Sequence, residues 1–296
     1  MKKTTILRNL LQKPGVLIVP PAYDCLSARI VEAVGFGAVL TAPGLVDDAQ
    51  LGLYNIGLAT ASEIINCARY IANSVNIPLI VGVDDGYGGA LAAYRTTQEV
   101  IRAGAAGIYI TDRKHLSLAG VPHNLVEVLP RAEYLGKMGA VLEARNKEDK
   151  DFIIISRIDA GATMGDDEVI ARAKACTALG VDIILPHAIP AGSKYQRKDK
   201  DGLRKFYQAM GAPDVMIWCN GLDRGNSKDY EDVGAKLCVP NDSPTAIVKK
   251  VLLEKYEELS KTWSGTITDE IANISPSNKP KGKEFWNELE KKYGGK

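Results

Sequence analysis

The sequence predicts an α/β protein, most simply a (β/α)8 barrel, and three observations carry that reading. Eight short β-rich runs alternate with amphipathic helical stretches over about 260 residues. The β-rich runs are nearly continuous in apolar residues, as parallel strands covered on both faces require. Three helix-to-strand joints repeat one phrase: Ala33-Val34-Gly35-Phe36-Gly37-Ala38, Arg102-Ala103-Gly104-Ala105-Ala106-Gly107 and Ala178-Leu179-Gly180-Val181-Asp182. In each, the glycine is expected to end a helix in the left-handed region. An open doubly wound sheet is the alternative arrangement of the same elements.

Taken in order, Val16–Pro20 reads as the first strand, with a helix over Ser27–Val34. Gly37–Thr41 is the second strand, before a helix over Ser62–Asn73. Pro78–Val83 is the third, before Ala90–Ala103. Gly107–Thr111 is the fourth, before helical periodicity over Val126–Arg145. Phe152–Ser156 is the fifth, before Asp167–Leu179. Val181–Leu185 is the sixth, before a helix near Gly202–Met210. Val215–Cys219 and Ala235–Val239 are the seventh and eighth, and a long helix over Thr245–Lys261 completes the series. Residues 1–264 thus form one barrel domain. Residues 265–296 add a linker containing Ser275-Pro276-Ser277-Asn278-Lys279-Pro280 and a short helix from Glu284. That helix carries Phe285, Trp286 and Leu289, which favours docking on a neighbouring subunit.

Composition narrows the function. Hydrophobic residues make up 46% of the 296 and charged residues 25%, enough for a substantial core. The 37 basic and 36 acidic residues nearly cancel, so no nucleic-acid partner is expected. No apolar run reaches the length of a membrane span, and no membrane partner is expected. The 5 cysteines are scattered without CxxC pairing, which argues against a zinc site or disulfide framework and fits a reducing cytoplasm.

In such a barrel the active site lies at the C-terminal strand ends. The polar residues there are Tyr23 and Asp24, Thr41 and Gly44, and Asp84 and Asp85. Asp112, Arg113, Lys114 and His115 follow, then Arg157 and Asp159, His187, Asn220 and Asp223. Arg157 with Asn220 suits a carboxylate ligand, because a guanidinium binds one bidentately. Arg157 and Asp159 lie two apart, on one face of a strand, and read equally as a buried ion pair. The stretch from Asp112 to Asn124 is a candidate lid, holding His115, Ser117 and His123.

Pro21-Ala22-Tyr23-Asp24-Cys25-Leu26-Ser27-Ala28-Arg29 resembles the "GAYDALSAR" opening of the isocitrate lyase/phosphoenolpyruvate mutase superfamily. Asp84-Asp85-Gly86-Tyr87-Gly88 resembles the end of its "DADTGYG" motif. The run Ala103–Asp112 resembles "AGAAGIHIED", Ser156–Ala160 resembles "ARTDA", and Leu185–Ala188 is similar to "FPEA". The resemblance spans roughly residues 14 to 260. It implies a barrel, a dimer or tetramer with an exchanged C-terminal helix, and chemistry on a small carboxylate through an enolate held by Mg²⁺.

This chain departs from that pattern at the metal. Gly82 stands for the first Asp of the third-strand pair, Thr111 for the Glu after the fourth strand, Asn55 for an acid after the second, and His187 for the Glu after the sixth. No tightly held Mg²⁺ is therefore expected in the family position; if one is recruited, Asp84 is the carboxylate left to do it. The lid also lacks the cysteine of the family's "KKCGH" motif. The expectation is a divergent lyase acting on a small 2-oxo or 2-hydroxy carboxylate. Arg157, Asp159, Asn220 and the backbone of Ala42, Pro43 and Gly44 would bind substrate, and Asp84, His187, Lys114 and Tyr23 would handle protons or charge. Phosphonate chemistry with Mg²⁺ and a non-catalytic carboxylate binder are the alternatives.

Overall fold

In the computed structural model the described residues are 1–114, 126–187, 193, 195, 199–211, 214–218, 226–240, 243–262 and 283–293. Among the described residues eight parallel strands form: β1 (Leu17–Ile18), β2 (Val39–Thr41), β3 (Leu79–Gly82), β4 (Gly107–Thr111), β5 (Ile153–Ile158), β6 (Ile183–Pro186), β7 (Met216–Trp218) and β8 (Leu237–Val239). They fall into two sheets, β2-β3-β4-β5-β6 and β1-β8-β7. Single parallel bridges, Pro21 to Leu40 and Ile184 to Val215, join the sheets on both sides. The ring closes, so the barrel and not the open sheet is the arrangement.

The continuous apolar runs divide between two cores, because successive strand residues point to opposite faces. Leu40, Ile80, Tyr109, Ile153, Ile155, Ile183, Leu185, Met216 and Leu237 fill the barrel interior. Val39, Val81, Ile108, Ile154 and Ile184 face the helices. A first helix that the sequence reading passed over, α1 (Lys3–Gln12), sends Leu7 and Leu11 into the interior cluster. Arg8 beside them bonds Asp182, just before β6, at 3.0 Å. α1 thereby plugs the end of the barrel opposite the strand C-termini.

The expected outer helices form as α2 (Cys25–Val34), α4 (Ala61–Ser74), α5 (Ala90–Arg102), α6 (Arg131–Glu148), α8 (Asp166–Leu179), α9 (Lys200–Met210) and α11 (Pro244–Thr262), and the short helices α3 (Pro43–Val46), α7 (Gly161–Met164) and α10 (Ser227–Asp232) add to them. The three joint glycines have φ of 102° (Gly35), 94° (Gly104) and 98° (Gly180), the left-handed conformation read from the repeated phrase. Two boundaries differ for local reasons. Residues 126–130 are not helical: Val128 bridges Arg113 in antiparallel fashion, and α6 begins only after Pro130. Between β2 and α4 the chain forms α3 and a π-helical turn, Asp47–Leu51, that no periodicity announced.

Cys25, Cys67 and Cys176 are free thiols, whereas Cys238 on β8 is disulfide-bonded, a single cross-link where the scattered cysteines argued against a framework. Residues 265–282 of the expected linker lie outside the described residues. Beyond them a helix spans Lys283–Tyr293. None of the described helices is long and apolar enough to cross a membrane.

Candidate active site

The C-terminal strand ends surround a cavity of about 320 Å³. Its wall includes Ala42, Pro43, Gly44, Asn55, Asp84, Tyr109 and Arg157. Arg157 reaches it from the inward face of β5, in register with Thr111 of β4. One edge of its guanidinium is spoken for: Nε donates to Asp159 Oδ2 at 2.8 Å and Nη2 to Asp159 Oδ1 at 3.1 Å. The buried ion pair and the ligand clamp, alternatives in the sequence, are compatible, because the second edge of the planar fork points away from Asp159.

Asp159 is completely buried and sits at the centre of the network. It also accepts from Thr111 Oγ1 at 2.5 Å and Arg113 Nη2 at 3.2 Å. Burial alone would raise its pKa, but Arg157, His187 and Arg113 together hold it well below the ordinary carboxylate range. His187 Nδ1 lies 2.9 Å from Asp159 Oδ1 and 3.1 Å from Arg157 Nη2. A guanidinium and an imidazole N–H cannot donate to each other, and the carboxylate is the stronger acceptor. We therefore assign the Nδ1–H tautomer, donating to Asp159, which leaves Nε2 with its lone pair. Burial, then the Arg157 charge, lower the His187 pKa, so the ring is neutral at pH 7.

Asp112, also fully buried, accepts from the backbone N–H of Asp159 at 2.8 Å and of Ala160 at 3.3 Å, and from Arg172 Nη1 at 3.1 Å. Arg172 on α8 is itself fully buried and donates to Glu168 and to the Leu129 carbonyl. The sequence reading did not single out Arg172. Its only signal was an arginine on the apolar side of a helix.

Asp84 follows β3 with φ of 46°, a left-handed conformation that only a few non-glycine residues adopt. Its carbonyl accepts from the Thr111 N–H at 2.8 Å, tying the turn to β4. Burial, reinforced by Asp47 and Asp85 and opposed by Arg157, pushes its carboxyl up to about 7. Asp47 is a further acid the sequence reading omitted. It is buried in the π-helical turn, and burial lifts it to about 6.

The remaining candidates separate. Pro43 has no N–H, so of the three residues read as a backbone cradle only Ala42 and Gly44 can donate. A Cβ on Gly44 would meet the Asn55 side-chain nitrogen at 2.6 Å, so Asn55 can lie across that turn only because residue 44 is glycine. Tyr23 does not line the cavity; its carbonyl accepts from Cys67 Sγ at 3.6 Å, and burial raises its phenol pKa. Lys114 lies over a different cleft and pairs with Glu127 at 3.6 Å. Asn220 and Asp223 lie outside the described residues, as do His115, Ser117 and His123 of the lid.

Among the described residues Asp84 is the one carboxylate on the cavity wall that could serve a Mg²⁺. Asp159 and Asp112 direct their oxygens at arginines, an imidazole and backbone amides. Among the described residues no three His, Cys, Asp or Glu side chains converge in a way that could hold a metal. Gly82 offers no ligand, and the space beside its Cα is filled by the Tyr109 ring.

A closed parallel barrel whose C-terminal strand ends carry an arginine–carboxylate–histidine cluster beside a cavity is the class of protein that this fold and site define. The phosphoenolpyruvate phosphomutase family model matches residues 7–254, and the chain belongs to that family, within the isocitrate lyase/phosphoenolpyruvate mutase superfamily. The 2-methylisocitrate lyase of Bacillus subtilis is 31% identical over 238 residues, covering 78% of this chain and 73% of that protein. The 2,3-dimethylmalate lyase of Eubacterium barkeri is 26% identical over 297 residues, covering 99% of each. Among solved structures, phosphonopyruvate hydrolase in complex with oxalate and Mg²⁺ superposes with a TM-score of 0.80 at 20% identity, covering 100% of both chains. That similarity establishes the fold.

Proposed function

We propose that this protein is a lyase that breaks or forms a carbon–carbon bond in a small 2-oxo or 2-hydroxy carboxylate. The observation that carries the reading is Arg157, presented to the mouth with one edge fixed by Asp159 and the other available to a carboxylate. The lyase names of the relatives in Bacillus subtilis and Eubacterium barkeri support the reaction class.

In the cleavage direction, neutral His187 takes the hydroxyl proton on Nε2 while Asp159 steadies the imidazolium that forms. The hydroxyl oxygen becomes a carbonyl, and the electron pair of the breaking C–C bond passes to the departing fragment as an enolate. Asp84, close to half-protonated at neutral pH, returns a proton to the enolate carbon. No step is assigned to Tyr23 or Lys114, which belong neither to the cavity wall nor to the Arg157–Asp159–His187 cluster beside it.

The protein assembles as a homo-oligomer in this reading. Ile247, Val251, Leu252, Leu253, Tyr256 and Leu259 of α11 are between 40% and 63% exposed, apolar surface that a neighbouring subunit would cover. Residues 265–296, as linker and helix, would pack on the neighbouring subunit.

Incubating the protein with a panel of 2-hydroxy and 2-oxo dicarboxylates, and following release of a 2-oxo acid by NMR, tests the function. Release that is lost in Arg157→Ala is expected. Release of inorganic phosphate from a phosphonate with no C–C cleavage would replace this reading with the phosphonate one. Binding without turnover would leave a carboxylate-binding relative.

A further inference from the structure

We propose that Tyr109 is a further catalytic residue of this mouth, its phenol donating a hydrogen bond to the carbonyl or enolate oxygen of the bound acid. The inference rests on the carboxylate site proposed above and adds the group that meets the reacting oxygen. Arg157 holds the neighbouring carboxylate.

Tyr109 and Gly82 are register partners on the adjacent parallel strands β4 and β3, and Tyr109 belongs to the interior cluster. A Cβ built on Gly82 would meet Tyr109 Cζ at 2.5 Å and Pro43 Cδ at 2.8 Å, and would also run into Tyr109 Oη. The tip of the phenol therefore occupies the volume that any side chain at position 82 would need. A carboxylate at 82 and this ring exclude each other, so the two positions form one device. Where an acid at 82 could present a metal ligand, this chain presents a hydroxyl.

The placement suits an oxyanion. Tyr109 shares the cavity wall with Arg157, Asp84 and Gly44, and its phenol tip meets Pro43 of that wall beside Gly82. Burial raises its pKa against the opposing Arg157 charge, so the phenol keeps its proton and stays a donor. A neutral donor fixed by strand packing needs no reorganisation as charge develops on the oxygen.

The test uses oxalate, a planar dianion shaped like an enolate beside a carboxylate, titrated calorimetrically into the full-length protein. Wild type, Tyr109→Phe and Arg157→Ala are compared in EDTA and in millimolar Mg²⁺. Wild type should bind in EDTA, with Mg²⁺ changing the affinity less than about twofold. Tyr109→Phe keeps the ring and should keep the melting temperature, yet lose roughly ten- to a hundredfold in affinity, as loss of a bond to a charged acceptor implies. A purely structural tyrosine would show the reverse pattern, with melting shifted and affinity kept. Unchanged affinity in Tyr109→Phe, or wild-type binding that disappears in EDTA, overturns the assignment. If Arg157→Ala abolishes binding while Tyr109→Phe does not, the Tyr109 assignment alone falls. Wild type that fails to bind oxalate, or binds it independently of Arg157, removes the carboxylate site and this inference together.

Discussion

Replacing Arg157 should separate ligand binding from folding, and the geometry sets both magnitudes. Arg157 gives Asp159 two hydrogen bonds, at 2.8 and 3.1 Å. After Arg157→Ala, the buried Asp159 still has Thr111 at 2.5 Å, Arg113 at 3.2 Å and His187 at 2.9 Å. The carboxylate is thus never orphaned, and the stability loss should fall below the ~3–5 kcal/mol typical of breaking a buried pair. The ligand has no comparable reserve. Losing a partly buried cation opposite a carboxylate costs about 2–5 kcal/mol, or roughly thirtyfold to several thousandfold in affinity. Arg157→Lys should recover only part of this, because an ammonium cannot hold Asp159 with one edge and a ligand with the other. Asp159→Asn should weaken binding less than Arg157→Ala, since it loosens the fork without removing it. The assay is a thermal-shift screen of small 2-oxo and 2-hydroxy acids, with their neutral amides as controls. An acid that stabilises wild type no better than its amide, or full affinity in Arg157→Ala, would refute the carboxylate site.

Three further outcomes follow from the same geometry. Asp84 has a folded pKa of about 7, above its unfolded value, so its contribution is fully present in acid and is lost as pH rises through about 7. Asp84→Asn should therefore melt higher than wild type at pH 8, by between about 1 and 4 kcal/mol of stability, with little difference at pH 4. Equal melting at both pH values would contradict the raised pKa. Arg172→Met should destabilise by about 3–5 kcal/mol in urea unfolding, because Asp112 loses its only cationic hydrogen-bond partner among the described residues. On α11, Leu252→Glu with Tyr256→Glu should shift sedimentation toward a smaller species, and truncation after Ser277 should weaken assembly. An unchanged profile in both would mean that these surfaces are not subunit contacts.

Much of the architecture was legible in the chain because it rests on local signals. Continuous apolar strands declare two covered faces wherever they fold. Gly35, Gly104 and Gly180 mark helix ends that only a residue free at positive φ serves well. Alternation of eight such units leaves few ways to bury the strands, and closure is the one taken. Arg157, Asp159, Asp84 and His187 could be named because strand ends converge in a barrel, and these four are the residues the fold draws together. What the order of residues could not decide depends on which side chains meet across strands. Tyr109 read as one more apolar strand residue until its partner in register proved to be Gly82, whose missing side chain lets the ring tip lean across. Arg172 and Asp112 are 60 residues apart and became a pair only when α8 packed against β5 and β6. Lys114 and Tyr23 had suitable chemistry and suitable positions in the chain, yet neither lines the mouth. Spacing along a strand fixes the face a residue takes, whereas the neighbour it meets and the water it loses are set by chain segments far away, and pKa and catalytic role follow from those.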